Sequence, residues 1–501
     1  MADRLIDQPA RDRIRDNLDR NVVVLAGAGA GKTFALVQRM VEVIRAGLEP
    51  VEHLAAITFT RKAAGEMRGR FYLALRAAAE ETTVPEQKVR FREALSRVDQ
   101  CFIGTIHAFC GRLLRERPLD ARLPPDFQEA DERTETLHRR LAWDRFVQSR
   151  FSEQEPRLAE LEAVGLRTED LYGFFERRCQ FSDLPLRPTP AQEVDLTEDA
   201  ATLVDFVRDA RQWVPDPLRE PPDRFQARLI YATNFVDHYG LRTSADRVHL
   251  LSRFSVKSTG IVLRKWSPNE DHARLIRDDR FAAIRDRVIQ PALTAWRQSV
   301  YPRAASLVDD AVEFYAEARR TQGVVSFQDL LERAAQLLRQ NPEVRASLGN
   351  RYSRLFIDEF QDTDPIQAEI ISLLSSDTVD DDWRVCEPRP GSLFLVGDEK
   401  QSIYRFRRAD LDTFRFVTDR IEASGGERLS LTTSFRAAGK LCDWINTGFE
   451  PLFAQDDPRY QAEFAPLHAA RALPRRVAAA RRHDRVARPS KRAACRRAVF
   501  V

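Results

Sequence analysis

Eight residues near the start of the chain could hold a phosphate group. Ala26-Gly27-Ala28-Gly29-Ala30-Gly31-Lys32-Thr33 follows the run NVVVL at 21–25 and precedes apolar residues at 34, 37, 40, 41 and 44. The first run is rich in β-branched residues and reads as a buried strand; the second has helical spacing. Small residues in such a turn let backbone N–H groups converge on an anion, and the following helix presents its positive N-terminal end. Lys32 is then placed for the β and γ phosphates of a nucleotide, and the Thr33 hydroxyl for Mg²⁺. The segment matches the P-loop pattern except that alanine fills the first glycine position. A second segment, LFIDEFQD at 355–362, is an apolar strand that delivers two adjacent carboxylates at its end. In a P-loop enzyme Asp358 would hold Mg²⁺. Glu359 would orient and deprotonate a water attacking the γ-phosphate. An Asp-Glu pair alone is usually a solvated loop; the buried strand before it and the P-loop elsewhere reverse that reading.

These residues need a scaffold. Further strand candidates lie at 54–59, 101–104, 393–396 and 429–431, with helical patterns between them. The alternation predicts the α/β class with a mainly parallel sheet. Between 116 and 324 the pattern is helical, rich in Arg and Glu, broken by proline clusters at 185–190 and 215–222, and free of chemical motifs. It reads as a helical insertion that splits the α/β domain. No internal repeat of fixed period is found.

A length of 501 residues leaves room for two to four domains, since one domain holds about 100–200 residues. Apolar residues at 43% against 31% charged allow a buried core in a soluble chain. There is no uncharged apolar run of about 18 residues, and residues 1–20 lack the features of a secretory signal. The expectation is a cytoplasmic protein without a membrane span. Cys101, Cys110, Cys179, Cys386, Cys442 and Cys495 stand singly, so zinc or iron–sulfur ligation has no support and reduced thiols are expected. Residues 466–501 hold ten Arg, one Lys and one Asp; subtracting that +10 from the net +3 leaves −7 for the rest. A nucleic-acid site must therefore be a local basic groove and not a global field. Ten Ala accompany the ten Arg in that tail. It reads either as a stretch translated out of frame or as a disordered basic tail.

Asp358-Glu359-Phe360-Gln361-Asp362 resembles the DExQD motif of superfamily 1 helicases of the UvrD/RecB group. Thr58-Phe59-Thr60-Arg61-Lys62-Ala63-Ala64-Gly65-Glu66-Met67 resembles their TFTNKAAxEM segment. Gly104-Thr105-Ile106-His107-Ala108-Phe109 resembles their GTFHxx segment. Val396-Gly397-Asp398-Glu399-Lys400-Gln401-Ser402-Ile403-Tyr404-Arg405-Phe406-Arg407 resembles VGDxxQSIYxFR, and Leu431-Thr432-Thr433-Ser434-Phe435-Arg436 resembles the segment ending N-[YF]-R. The Asp7-Gln8 lead-in, the long insertion and Ser326-Phe327-Gln328-Asp329-Leu330-Leu331 are similar to the RecB/AddA-like helicases of recombinational repair.

The resemblance implies an ATP-dependent 3′→5′ DNA helicase with a RecA-like sheet, using ATP and Mg²⁺. It implies that Gln8 contacts adenine, that Gln401 contacts the γ-phosphate, and that Arg436 is an arginine finger, a device contributing about 10³–10⁵ in rate. Phe59, Tyr404 and Phe406 would stack on single-stranded bases. Thr60, Arg61, Lys62, Thr105 and His107 would touch phosphates, with a satisfied core histidine as the other reading of His107. The expected division is a split motor domain at 1–115 and 325–435, an insertion at 116–324, the start of a second motor domain at 436–465, and the tail at 466–501. Partners implied are single-stranded and duplex DNA and an AddB/RecC-like subunit. The family's later KGLE-like and TRA-like segments are not found. The alternative is therefore an ATP- and DNA-binding chain without unwinding activity. An unrelated P-loop kinase or GTPase would leave the segments around Gln401, Tyr404 and Arg436 unexplained.

Overall fold

In the computed structural model, which describes residues 5–182, 184–186, 193–218, 220–453 and 464–470, the chain forms two compact units. One runs over Met1–Leu113 and resumes at Ala335; the other is Leu114–Ala334.

The first unit is built on six strands: β1 (Val22–Ala26), β2 (Leu54–Thr58), β3 (Phe102–Thr105), β6 (Arg354–Ile357), β7 (Leu393–Gly397) and β8 (Glu427–Leu431). The second unit contributes a short parallel pair, β4 (Gln128–Glu129) with β5 (Val324–Val325). The main sheet has the order β3-β2-β6-β7-β1-β8, and every pairing in it is parallel. It is a RecA-like α/β sheet. Parallel strands are covered on both faces and so read as continuous apolar runs; Val22, Val23 and Val24 are all fully buried. Edge strand β8 alternates buried and exposed residues instead.

After β1 the chain crosses two strands to reach β2, while β8 lies on the other side of β1. Such a switch point opens a crevice at the strands' C-terminal ends, where α/β sheets bind ligands. The helix α2 (Lys32–Ala46) packs Leu36, Met40 and Val43 into the core against Phe356, Phe394 and Val396. Buried Arg39 on α2 donates to the carbonyls of Ile14, Asn17 and Arg20 at 2.7, 2.8 and 2.7 Å. That fixes the end of helix α1 (Gln8–Asp16) against the sheet domain. Burial lowers the Arg39 pKa to about 10, which leaves it charged at neutral pH.

The Leu114–Ala334 unit is helical. One of its cores joins Trp143, Phe146, Phe175 and Tyr315; another joins Phe225, Leu229, Phe254 and Trp266. Buried Asp223 caps the helix Arg224–Tyr239 and also accepts from Val262 N and Trp266 Nε1, at 2.9 and 2.8 Å. This unit runs to Ala334, ten residues past the 324 expected for the insertion, and Val324–Val325 pairs with Gln128–Glu129 within it.

Helix Gly439–Phe453 and residues 464–470 lie in the unit that holds the main sheet. There β9 (Thr433–Ser434) pairs in parallel with β10 (His468–Ala469), and the Asn446 amide exchanges hydrogen bonds of 3.0 and 2.9 Å with the Leu467 backbone. Of the tail expected at 466–501, residues beyond 470 lie outside the described residues. Among the described residues no helix is long and apolar enough to cross a membrane.

Candidate functional site: a phosphate loop joined to an aromatic patch

β1 ends at Ala26, and the chain turns through Gly29 (φ 77°) and Gly31 (φ 87°) before Lys32 opens α2. Both glycines take the left-handed backbone that side chains disfavour. A Cβ on Gly29 would also lie 2.6 Å from Arg436 Cβ. The loop therefore brings Ala26 through Thr33 to the switch point, with the first turn of α2 leaving its N–H groups without helical partners.

β6 brings the carboxylates. Asp358 N–H donates to Ile57 O at 2.8 Å, which continues the sheet pairing and fixes where the side chain emerges. Thr33 Oγ1 donates to Asp358 Oδ2 at 3.3 Å, and Lys32 Nζ forms an ion pair with the Glu359 carboxylate. Burial, and then the neighbouring Glu359 charge, push the Asp358 carboxyl up to about 6 against the pull of Lys32 and Thr33. Glu359 takes a left-handed backbone (φ 56°), a conformation that costs a non-glycine residue about 1–3 kcal/mol.

Gln361 links this cluster to the next segment. Its Nε2 donates to Glu359 Oε2 at 3.0 Å, its Oε1 accepts from Asp398 N at 2.9 Å, and its carbonyl accepts from Ser402 Oγ at 3.1 Å. Asp398 in turn accepts from Gln401 Nε2 at 2.7 Å and from Lys400 N at 3.1 Å. Gln401 thus lies three hydrogen-bonded steps from Glu359. Beyond it, Tyr404 and Phe59 have ring centroids 5.0 Å apart, and Tyr404 and Phe406 5.7 Å. The Arg407 guanidinium lies within 6.0 Å of all three rings. Phe406 is 71% exposed. This is a cationic, solvent-facing aromatic patch.

Thr60 caps helix α3 (Arg61–Glu81), accepting from Ala63 N at 3.1 Å. Exposed Arg61 and Lys62 stand at that helix N-terminus, where the helix dipole disfavours cations unless an anion joins them. Thr105 ends β3 and accepts from Ala108 N at 3.3 Å; His107 is half-buried in the first turn of helix Ile106–Glu116.

Arg436 is exposed and follows β9. Its segment is tied to the loop: Phe435 N–H donates to Gly29 O at 2.9 Å, and Ser434 Oγ to Ala28 O at 3.3 Å. Gln8, which the resemblance assigns to adenine, opens helix α1. Its amide is taken by Asp12 Oδ1 one turn along α1, at 3.0 Å. Arg11 reaches the loop instead, donating to Ala30 O at 3.0 Å. Asp7 anchors Arg11 and also accepts from Thr432 N, Thr433 N and Thr433 Oγ1 at 3.1, 3.0 and 2.7 Å. Burial works against the Asp7 charge, but the hydrogen bonds from Arg11 and Thr433 outweigh it and hold the carboxyl below its ordinary range.

The donor set suits Mg²⁺. That ion typically takes one or two protein ligands with phosphates and waters, and Thr33 and Asp358 supply an adjacent hydroxyl and carboxylate. The described residues hold no cluster of three or more His, Cys, Asp or Glu fit for a metal, which is compatible with that mode. Sequence reasoning assigned no role to Arg11, Gln361, Asp398, Arg407 or Phe435. All but Arg11 lie inside the quoted motifs, so motif membership was the available signal.

The model of the UvrD/REP helicase N-terminal domain matches residues 7–421. An ATP-dependent helicase/nuclease subunit of Ligilactobacillus salivarius is 25% identical over 493 residues, covering 89% of this chain and 38% of that protein. Its counterpart of the same name in Geobacillus thermodenitrificans is 28% identical over 495 residues, covering 87% and 38%. An exonuclease/helicase subunit RexA of Lactococcus lactis subsp. cremoris is 24% identical over 496 residues, covering 89% and 40%. The chain spans about two fifths of the length of these curated relatives.

Proposed function

The chain belongs to the UvrD/REP helicase family, and from that premise we propose that it is the ATP-binding and ATP-hydrolysing core of a DNA motor serving repair and recombination. The observation that carries this reading is the hydrogen-bonded path from Lys32 and Glu359 through Gln361 and Asp398 to Gln401, three residues before Tyr404 of the aromatic patch.

Lys32 holds the β and γ phosphates, exchanging Glu359 for phosphate oxygens when nucleotide arrives. Thr33 and Asp358 hold Mg²⁺, which when bound neutralises charge on the phosphates. Glu359, released from Lys32, accepts a proton from the attacking water. Arg436 stabilises charge on the transferring phosphoryl group, and Gln401 reports its presence to the patch. Phe59, Tyr404 and Phe406 stack on bases without regard to sequence, as a translocating site requires. Thr60, Arg61, Lys62, Thr105 and His107 meet the backbone phosphates. The direction of travel is 3′→5′, and an AddB/RecC-like protein is the expected partner; the names of the three relatives, each of them a subunit, support a multi-subunit assembly.

Linkage tests this reading. Single-stranded DNA affinity is measured by anisotropy with and without a non-hydrolysable ATP analogue and Mg²⁺. Coupling between two sites is reciprocal and commonly about 5–150-fold. The analogue is expected to change DNA affinity by such a factor in the native chain and not in a Lys32→Ala variant. Absence of DNA binding, or an equal response in both proteins, overturns it.

A further inference from the structure

Helix α1 opens without the cap its sequence offers. Asp7 holds the N-cap position, where an aspartate usually accepts from the helix's own first N–H groups, yet its side chain makes no such bond. The carboxylate, 3% exposed, turns to a segment 425 positions along the chain. Oδ2 accepts from Thr432 N and Thr433 N at 3.1 and 3.0 Å, and Oδ1 from Thr433 Oγ1 at 2.7 Å. Arg11 Nε and Nη2 donate to the same two oxygens at 3.1 and 2.9 Å. The segment is held from its other side by the phosphate loop, through Phe435 N–H to Gly29 O at 2.9 Å and Ser434 Oγ to Ala28 O at 3.3 Å. Arg11 closes the ring: its Nη2 donates to Ala30 O at 3.0 Å and its guanidinium carbon lies 5.0 Å from the Phe435 ring centroid. Arg436 is the next residue, and a Cβ on Gly29 would stand 2.6 Å from its own Cβ. Its base is thus fixed beside the loop while its side chain is exposed.

We propose that Asp7 is a positioning residue for ATP hydrolysis: it fixes residues 432–435 against the phosphate loop and so carries Arg436 to the transferring phosphoryl group. The proposal rests on the reading of Arg436 as the arginine finger. The Asp7 carboxylate is committed to the donors of Arg11, Thr432 and Thr433, so it acts through the segment it holds and not on the nucleotide itself. A finger works only where charge develops, and a misplacement of about 1 Å can cost about 10²-fold in rate. Ground-state ATP is held by Lys32, Thr33 and the loop, none of which Asp7 bonds. Loss of Asp7 therefore acts on turnover and leaves nucleotide binding in place, the pattern of an interaction made only in the transition state.

The test is a double-mutant cycle on the full chain. Phosphate release from ATP with Mg²⁺ and single-stranded DNA is measured for the native protein, Asp7→Ala, Arg436→Ala and the two together. Asp7→Ala is expected to lower kcat about tenfold or more, with the ATP dissociation constant, read by calorimetry, changed less than about twofold. In the Arg436→Ala background the same change is expected to have no further effect, because residues that act as a unit are not additive. A merely structural loss would multiply with Arg436→Ala instead. Thr433→Val keeps the side-chain volume and the Asp7–Arg11 pair while removing one bond to Asp7. It is expected to give a smaller loss that also disappears without Arg436, and it carries the cycle where Asp7→Ala does not fold. An unchanged kcat, a loss that multiplies with Arg436→Ala, or a loss confined to ATP affinity overturns the role of Asp7. An Arg436→Ala protein that turns over as fast as the native one overturns the finger reading and the proposal with it, while hydrolysis that still depends on Lys32 leaves the phosphate site standing. Absence of hydrolysis in the native chain overturns the motor reading and the proposal together.

Discussion

Glu359→Gln is expected to tighten nucleotide binding while abolishing turnover. Lys32 is paired with Glu359, the two side chains being 11% and 33% exposed. An incoming triphosphate must take Lys32 from that carboxylate and bring its own negative charge beside it. At an effective dielectric of about 20, two unit charges about 4 Å apart interact by about 4 kcal/mol before desolvation is counted. Exposed pairs contribute about 0–1 kcal/mol net, and breaking a buried one costs about 3–5 kcal/mol. A pair this partly exposed falls between, at about 1–2 kcal/mol, and the glutamine amide retains a neutral hydrogen bond to Lys32. With about 1.4 kcal/mol per tenfold, the ATP dissociation constant should fall about 5–30-fold. Loss of the general base should lower hydrolysis by about 10²–10⁴. The assay is titration with a fluorescent ATP analogue and Mg²⁺, alongside phosphate release. A folded Glu359→Gln protein that binds ATP more weakly, or no more tightly, than the native chain would refute the idea that Glu359 competes with nucleotide for Lys32.

Three further outcomes follow from named contacts. Asp7→Asn removes a charge-assisted pair with Arg11 and should cost about 1.5–3 kcal/mol at neutral pH. Because the folded Asp7 pKa is depressed, its contribution is present above the unfolded value of about 3.9 and is lost as pH falls through the folded value. Native stability should therefore fall more steeply on acidification below that point than the variant's, as read by circular dichroism; parallel acid profiles would contradict this. Phe406→Ala should weaken single-stranded DNA binding by about 1–3 kcal/mol while leaving ATP affinity unchanged, and unaltered anisotropy titrations would remove Phe406 from the DNA site. Gly29→Ala places a Cβ 2.6 Å from Arg436 Cβ in a left-handed backbone, a conformation costing about 1–3 kcal/mol. It should lower both melting temperature and nucleotide affinity, and an unchanged melt would show that the 434–436 segment is not clamped to the loop.

Much of the scaffold was legible because parallel strands bury both faces. The valines of β1 and the LFI of β6 stand out as apolar runs ending in polar residues, and a strand end is where chemistry in such sheets is placed. What stayed hidden depends on contacts distant in sequence. Asp7 meets Thr432 and Thr433 more than 400 positions away, and no local pattern announces that. Gln8 and Arg11 share one helix, and no local pattern tells that Arg11 donates to the loop while the Gln8 amide donates to Asp12. β5 was not legible in the sequence, because it is two residues long and pairs with β4, far upstream; so short a strand has no periodicity to detect. Gln361 was visible as a letter in a motif, but its position between Glu359 and Asp398 follows from how β6 and β7 lie side by side.

The most direct measurement is steady-state ATP hydrolysis by the purified chain, with and without single-stranded DNA, beside Lys32→Ala. Hydrolysis that rises on adding DNA and vanishes in the variant is the expected result, since Glu359 is hydrogen-bonded through Gln361 and Asp398 to Gln401, three residues before Tyr404 of the aromatic patch. Hydrolysis indifferent to DNA, or surviving the loss of Lys32, would contradict it.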